Sequence, residues 1–141
     1  MPHVVVRITS PRPPAQVLAD MADFSHAPEW DPSVVSAVRL DEGPLRVSSR
    51  FDLVVRSARR SMPLRYEVTE LDEQHATLSA RTPTLESIDT LSVTSHGEGT
   101  IFTYDARLTF VGLWRVFNPM LAVMFRSLAS RAEVGIRRRL R

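Results

Sequence analysis

NPMLAVMFRSLASRAEVGIRRRLR, residues Asn118–Arg141, is the stretch that decides the fold. Asn118 can accept a hydrogen bond from a free backbone N–H, and Pro119 brings a preset φ and no N–H of its own, so the pair predicts a helix start. Leu121, Phe125, Leu128, Ala132, Ile136 and Leu140 then recur at three- and four-residue steps, while Arg126, Arg131, Glu133, Arg137 and Arg138 fall on the other faces. One stripe is built for burial. At 1.5 Å per residue such a helix runs roughly 34 Å, enough to cross a sheet of eight- to ten-residue strands.

What precedes it alternates. Val4, Val6 and Ile8 against Val5, Arg7 and Thr9 mark a first strand, ended by Ser10, Pro11, Pro13 and Pro14. A short helix carrying Val17, Leu18 and Met21 follows. In Phe24–Pro32 the prolines at 28 and 32 limit any second helix to about a turn. Six further strands are expected at Val34–Leu40, Phe51–Arg60, Leu64–Leu71, Ala76–Thr82, Glu86–Thr94 and Ile101–Phe110. Turns are expected at Asp41–Pro44, Ser61-Met62-Pro63, Asp72–Gln74, Pro83 and His96–Gly99. The reading is α+β: one domain over residues 1–141, a curved seven-stranded antiparallel sheet gripping a long C-terminal helix.

Alternation also assigns faces. Phe102, Tyr104, Ala106, Leu108 and Phe110 share the helix-facing side of the last strand, Tyr66 and Val68 that of the fourth, and Leu91 and Val93 that of the sixth. The same phase turns Asp89 inward. A carboxylate on an apolar face must find a donor, meet a polar ligand group or hold its proton. A one-residue slip or bulge would instead send it to solvent and bring Ile88 in.

Composition removes several functions. With 43% hydrophobic and 24% charged residues the chain is ordinary globular material. Cysteine is absent, and with it disulfides, thiolate nucleophiles and Cys-rich zinc sites; all 18 basic residues are arginine, so Schiff-base chemistry is excluded. His3, His26, His75 and His96 show neither metal-ligand spacing nor a triad, and no phosphate loop is present. Neither a metal nor a cofactor is expected. Six arginines fall in the final helix, where they complement its dipole; with no interleaved aromatics they do not make a nucleic-acid site. The richest apolar run, Val111–Phe125, is interrupted by Arg115 and Asn118, so no stable membrane insertion is expected, and the N-terminus shows no long apolar leader. The expectation is a soluble chain, cytoplasmic by default, monomeric or weakly homodimeric.

The order of elements resembles the helix-grip fold of START domains and the polyketide cyclase/dehydrase and lipid-transport family. The resemblance covers essentially the whole chain. It rests on Ala27-Pro28-Glu29-Trp30-Asp31-Pro32, on Asp89-Thr90-Leu91-Ser92-Val93, on Gly97 and Gly99 before Phe102–Ala106, and on Asn118-Pro119. It implies a cavity between sheet and helix for a small hydrophobic ligand, with Trp30 near its mouth. The expected ligand contacts are Trp30, Phe51, Tyr66, Asp89, Leu91, Tyr104, Met120 and Met124. Each has a purely structural alternative: Trp30 as a core plug, the methionines as ordinary packing, the tyrosines bonded to each other or to Asp89. Cyclase relatives imply a second possibility, proton transfer by Asp89 or Tyr104 during closure of a polyketide-like carbonyl substrate. The arginine that such enzymes place in the cavity is not matched by Arg56 or Arg65, which both fall on the outward phase. A third possibility is an interaction protein whose Leu113-Trp114-Arg115-Val116-Phe117 segment docks a partner or a membrane surface.

Overall fold

The computed structural model describes residues 3–57 and 60–141, the side chains of Ser57 and Leu121 excepted. Seven strands form one antiparallel sheet: β1 (His3–Ser10), β2 (Val34–Arg39), β3 (Arg50–Ser57), β4 (Arg60–Leu71), β5 (His75–Arg81), β6 (Leu85–His96) and β7 (Gly99–Phe110), in the order β1-β7-β6-β5-β4-β3-β2. Helix α1 (Pro14–Ala22) and a 3-10 helix over Phe24–Glu29 lie between β1 and β2; a second 3-10 helix, Gly112–Phe117, leads into α2 (Asn118–Arg139).

The inward phases are as the alternation predicts. Val6 and Ile8, Leu64, Tyr66 and Val68, Ala76, Leu78 and Ala80, and Leu91 and Val93 are all buried. Between Val68 and Glu70 the pairing of β4 with β5 slips by one residue, a β-bulge that lets Val68 and Leu71, three positions apart, both face the core. No slip occurs in β6, where Asp89 pairs with Leu78 on one side and Ala106 on the other and stays inward. His96 pairs with Gly99 across a two-residue turn whose first central residue, Gly97, has φ +61°. Glycine is favoured there because a β-carbon is strained at positive φ.

Three expectations are corrected. Ser61, Met62 and Pro63 are not a turn but the start of β4, paired with Arg56, Val55 and Val54 of β3. Pro63 is tolerated because β5 pairs with β4 only from Glu67 onward, so there β4 has a neighbour on one side alone. The third strand, expected to run to Arg60, is β3 ending at Ser57, and Arg60 already belongs to β4; Ala58 and Arg59 lie outside the described residues. Asn118 does not cap its own helix: its Oδ1 accepts from the Phe110 N–H at 2.8 Å, tying the end of β7 to the start of α2, and the residue before it, Phe117, offers no side-chain cap.

The third correction concerns α2, which does not lay a full stripe on the sheet. Ala132, Ile136 and Leu140 are buried, but Phe125 and Leu128 are only partly so; the side chain of Leu121 lies outside the described set. The helix is fastened at its C-terminal half. Ser10 Oγ donates to the Leu140 carbonyl at 2.7 Å, and the Arg139 guanidinium takes both oxygens of Asp20 at 2.7 and 2.8 Å with Glu29 at 3.2 Å. Gly135 passes so close to Trp30 that a β-carbon there would lie 1.8 Å from the Trp30 carbonyl oxygen.

That contact reverses the usual effect of a helix substitution. Gly→Ala in an open helix gains about 1 kcal/mol of propensity, whereas at Gly135 backbone would have to move. Gly135→Ala should therefore destabilise by about 2–4 kcal/mol in urea unfolding. Unchanged or greater stability would show that the Trp30 approach is not a constraint.

Candidate ligand cavity

Between α2 and the concave face of the sheet is a cavity of about 990 Å³. Its walls are mostly apolar: Val4 and Val6 of β1, Leu53 and Val55 of β3, Met62 and Leu64 of β4, Ala106, Leu108 and Phe110 of β7, and Phe125, Leu128 and Ile136 of α2. Polar groups are few and grouped. Tyr104 Oη donates to Asp89 Oδ2 at 2.8 Å, and Tyr66 Oη and Ser87 Oγ share a hydrogen bond of 2.8 Å. Asp31 accepts from the Ser33 N–H at 2.9 Å and from its hydroxyl at 2.7 Å.

Sheet register explains these pairs. In β6 and β7 the direct partners are Asp89–Ala106 and Leu91–Tyr104, so the Tyr104 ring reaches Asp89 along the diagonal, over the small Ala106. Tyr66 and Ser87 belong to β4 and β6, with β5 between them; the buried Ala80, which pairs with Ser87, leaves room for the phenol to cross. Edge-to-face rings join the two pairs: Tyr66 to Phe24 at 5.1 Å, Phe24 to Trp30 at 6.4 Å and Trp30 to Tyr104 at 5.7 Å.

The electrostatics follow from burial. Asp89 is 5% exposed, and loss of water pushes its carboxyl up to about 7; the Tyr104 hydrogen bond pulls it partly back, and the charges of Asp31 and Asp105 push the same way as burial. Burial also raises Asp31, against the hydrogen bonds from Ser33, and holds the phenols of Tyr66 and Tyr104 well above their ordinary range. Both tyrosines stay neutral, Tyr104 donating to Asp89, and Asp89 is poised between acid and base near neutrality.

Of the eight expected contacts, Trp30, Tyr66, Asp89, Tyr104 and Met124 line the cavity. Three do not. Phe51 is fully buried but covered by Phe24, whose ring centroid lies 6.2 Å away. Leu91 is fully buried in the middle of β6, a strand on which α1 packs. Met120 is exposed on the first turn of α2 and does not reach the cavity. Arg56 and Arg65 point outward as the alternation predicts, Arg65 pairing with Asp52 at 2.7 Å, and none of the four histidines lines the cavity. Arg60 does line it, a position hidden by the mistaken turn at Ser61–Pro63. Ser87 could have been found, since it shares the inward phase of Asp89; Asp31 sits in a loop, where no period marks it.

The chain belongs to the polyketide cyclase/dehydrase and lipid transport family, whose sequence model matches residues 1–141. Solved structures agree on the fold. The Zhui aromatase/cyclase from Streptomyces sp. R1128 superposes with a TM-score of 0.78 at 14% identity, covering 98% of this chain and 92% of that one. A START superfamily protein from Mycobacterium smegmatis gives 0.77 at 14% identity, covering 98% and 96%. Protein Ms6760 from Mycobacterium smegmatis gives 0.68 at 19% identity, covering 99% and 91%. No curated protein matches the chain in sequence.

Asp89 gives this site a measurable signature. Its carboxyl has an ordinary value of 3.8 and is raised to about 7 in the fold, so the folded state holds the proton more tightly and stability falls as pH rises through that window. The cost is fully present above about 7 and absent below about 4. Asp89→Asn keeps an oxygen for the Tyr104 hydroxyl and cannot ionise. It should exceed the parent by about 2–4 kcal/mol in denaturant unfolding near pH 8 and match it near pH 3.5. A pH-independent difference would mean that Asp89 ionises normally.

Proposed function

We propose that this protein holds a small, largely apolar molecule carrying one or two polar groups in the cavity between its sheet and α2. The supporting observation is the cavity itself: about 990 Å³ of mainly apolar wall, with the hydrogen-bonded pairs Tyr104–Asp89 and Tyr66–Ser87 among its polar groups. Sites for small molecules have this size and this ratio of apolar surface to placed polar groups. The family's description, which names both lipid transport and cyclisation, is compatible with it. Native mass spectrometry after gentle purification should find a ligand or accept an added apolar one. Ala106→Phe, which puts a ring beside Asp89, should weaken that binding about tenfold or more. Equal binding by the parent and the filled variant would place the ligand elsewhere.

Asp89 favours a second reading, cyclisation of a carbonyl compound. As carboxylate it would take a proton from the carbon next to one carbonyl. The carbanion adds to a second carbonyl of the same chain, and the protonated Asp89 returns its proton to the new alkoxide. The Tyr104 hydroxyl keeps the carboxyl oriented. The cavity walls hold the two carbons together, where orientation supplies much of the rate. Asp89→Asn separates the readings: ligand affinity should persist, while conversion of a poly-ketone substrate should fall by about 10²–10⁴-fold. Unchanged conversion would remove Asp89 from any catalytic part.

A further inference from the structure

The segment from Gly112 to Met124 presents large apolar side chains to solvent in unusual density. Leu113 is 93% exposed, Val116 75% and Val123 71%, and Trp114, Phe117, Met120 and Met124 are also exposed. The 3-10 helix Gly112–Phe117 buries none of its residues. The rings of Trp114 and Phe117 meet each other at a tilt of 41°, their centroids 5.7 Å apart. A patch of this kind on an otherwise ordinary surface marks a place where something docks.

Its position and charge narrow the occupant. Trp114 and Met124 belong to both the patch and the cavity lining, so the apolar surface runs without a break from the outside into the cavity. From Ala106 to Ala132 the chain has four arginines, at 107, 115, 126 and 131, and no acidic residue. The exposed face of α2 turns from apolar to basic along its length, with Met120, Val123 and Met124 followed by Arg131 and Arg138. Aromatic and aliphatic side chains beside arginines, on a helix with no membrane-spanning length of apolar residues, are the pattern of a segment lying in the headgroup layer.

We propose that the face formed by Gly112–Phe117 and the first half of α2 docks on an anionic bilayer surface, with the cavity mouth turned toward the lipid. The aromatic and aliphatic side chains enter the headgroup region and the arginines meet lipid phosphates. An apolar molecule could then pass between bilayer and cavity without crossing water. Docking itself does not depend on the cavity being used.

Flotation with vesicles rich in phosphatidylglycerol tests this, with phosphatidylcholine vesicles as the comparison. The protein should float with the anionic vesicles and be released by salt, with Trp114 emission shifting to the blue on binding. Leu113→Asp with Val116→Asp touches only exposed, non-lining positions and should weaken vesicle binding about tenfold or more at unchanged thermal stability. Arg126→Glu should act the same way, through charge. No flotation, or flotation indifferent to these changes, overturns the proposal. So does a concentration-dependent dimer that Leu113→Asp/Val116→Asp abolishes, which would give the face to a second copy. An empty cavity by native mass spectrometry would sink the ligand-holding reading and leave the vesicle result standing.

Discussion

The architecture depends on a helix fastened at one end. Gly135 lets α2 come against the backbone of Trp30, and Ser10 and the Arg139–Asp20 pair fix the last turn, so the C-terminal half is drawn into the core. Among the described residues, the N-terminal half is held by the Asn118–Phe110 hydrogen bond to the end of β7 and by partial contact through Phe125 and Leu128. Space remains between the helix and the sheet. A larger residue at 135 or a longer apolar stripe would give a different protein: loosened in the first case, filled in the second.

Within the space, the chemistry is set by desolvation more than by partners. Asp89 has one protein donor, Tyr104, and no cation within hydrogen-bonding reach among the described residues; one hydrogen bond offsets only part of what burial costs a carboxylate. The chain keeps this unfavourable group on an inward phase where Val or Leu would pack. A neutral ligand that brings a hydroxyl or an amide N–H to the free oxygen would favour the charged form, and one that brings a carbonyl would favour the proton. Ligand and proton are thereby linked at this residue.

Periodic features were legible in the sequence and aperiodic ones were not. Phase along β6 and β7 placed Asp89, Leu91, Tyr104 and Ala106 on the correct face, because a strand has a period of two and no slip intervenes. Phase did not say what covers each inward residue, which is why Phe51 and Leu91 lay in the core under Phe24 and α1 rather than on the cavity wall. Pro63 misled because proline punctuates turns far more often than it begins a half-paired strand. Asn118 misled because a side chain suited to capping was used across the chain instead, a choice made by tertiary proximity. The apolar helix stripe was real, but a stripe cannot tell contact with a sheet from contact with a space.

The order of the strands bears on how the molecule assembles. Every pairing joins sequence neighbours except β1 with β7, whose partners, such as His3 and Arg107, lie about a hundred residues apart. The meander from β2 to β7 can form by short loop closures, whereas β1 must wait for the far end of the chain, and long-range closures of this sort slow folding. Ser10, the last residue of β1, is also the group that holds the final turn of α2. Sheet completion and helix anchoring thus converge on one late event. Until it happens the concave face, with its tyrosines and its carboxylate, stands open to the solvent and to whatever molecule is at hand.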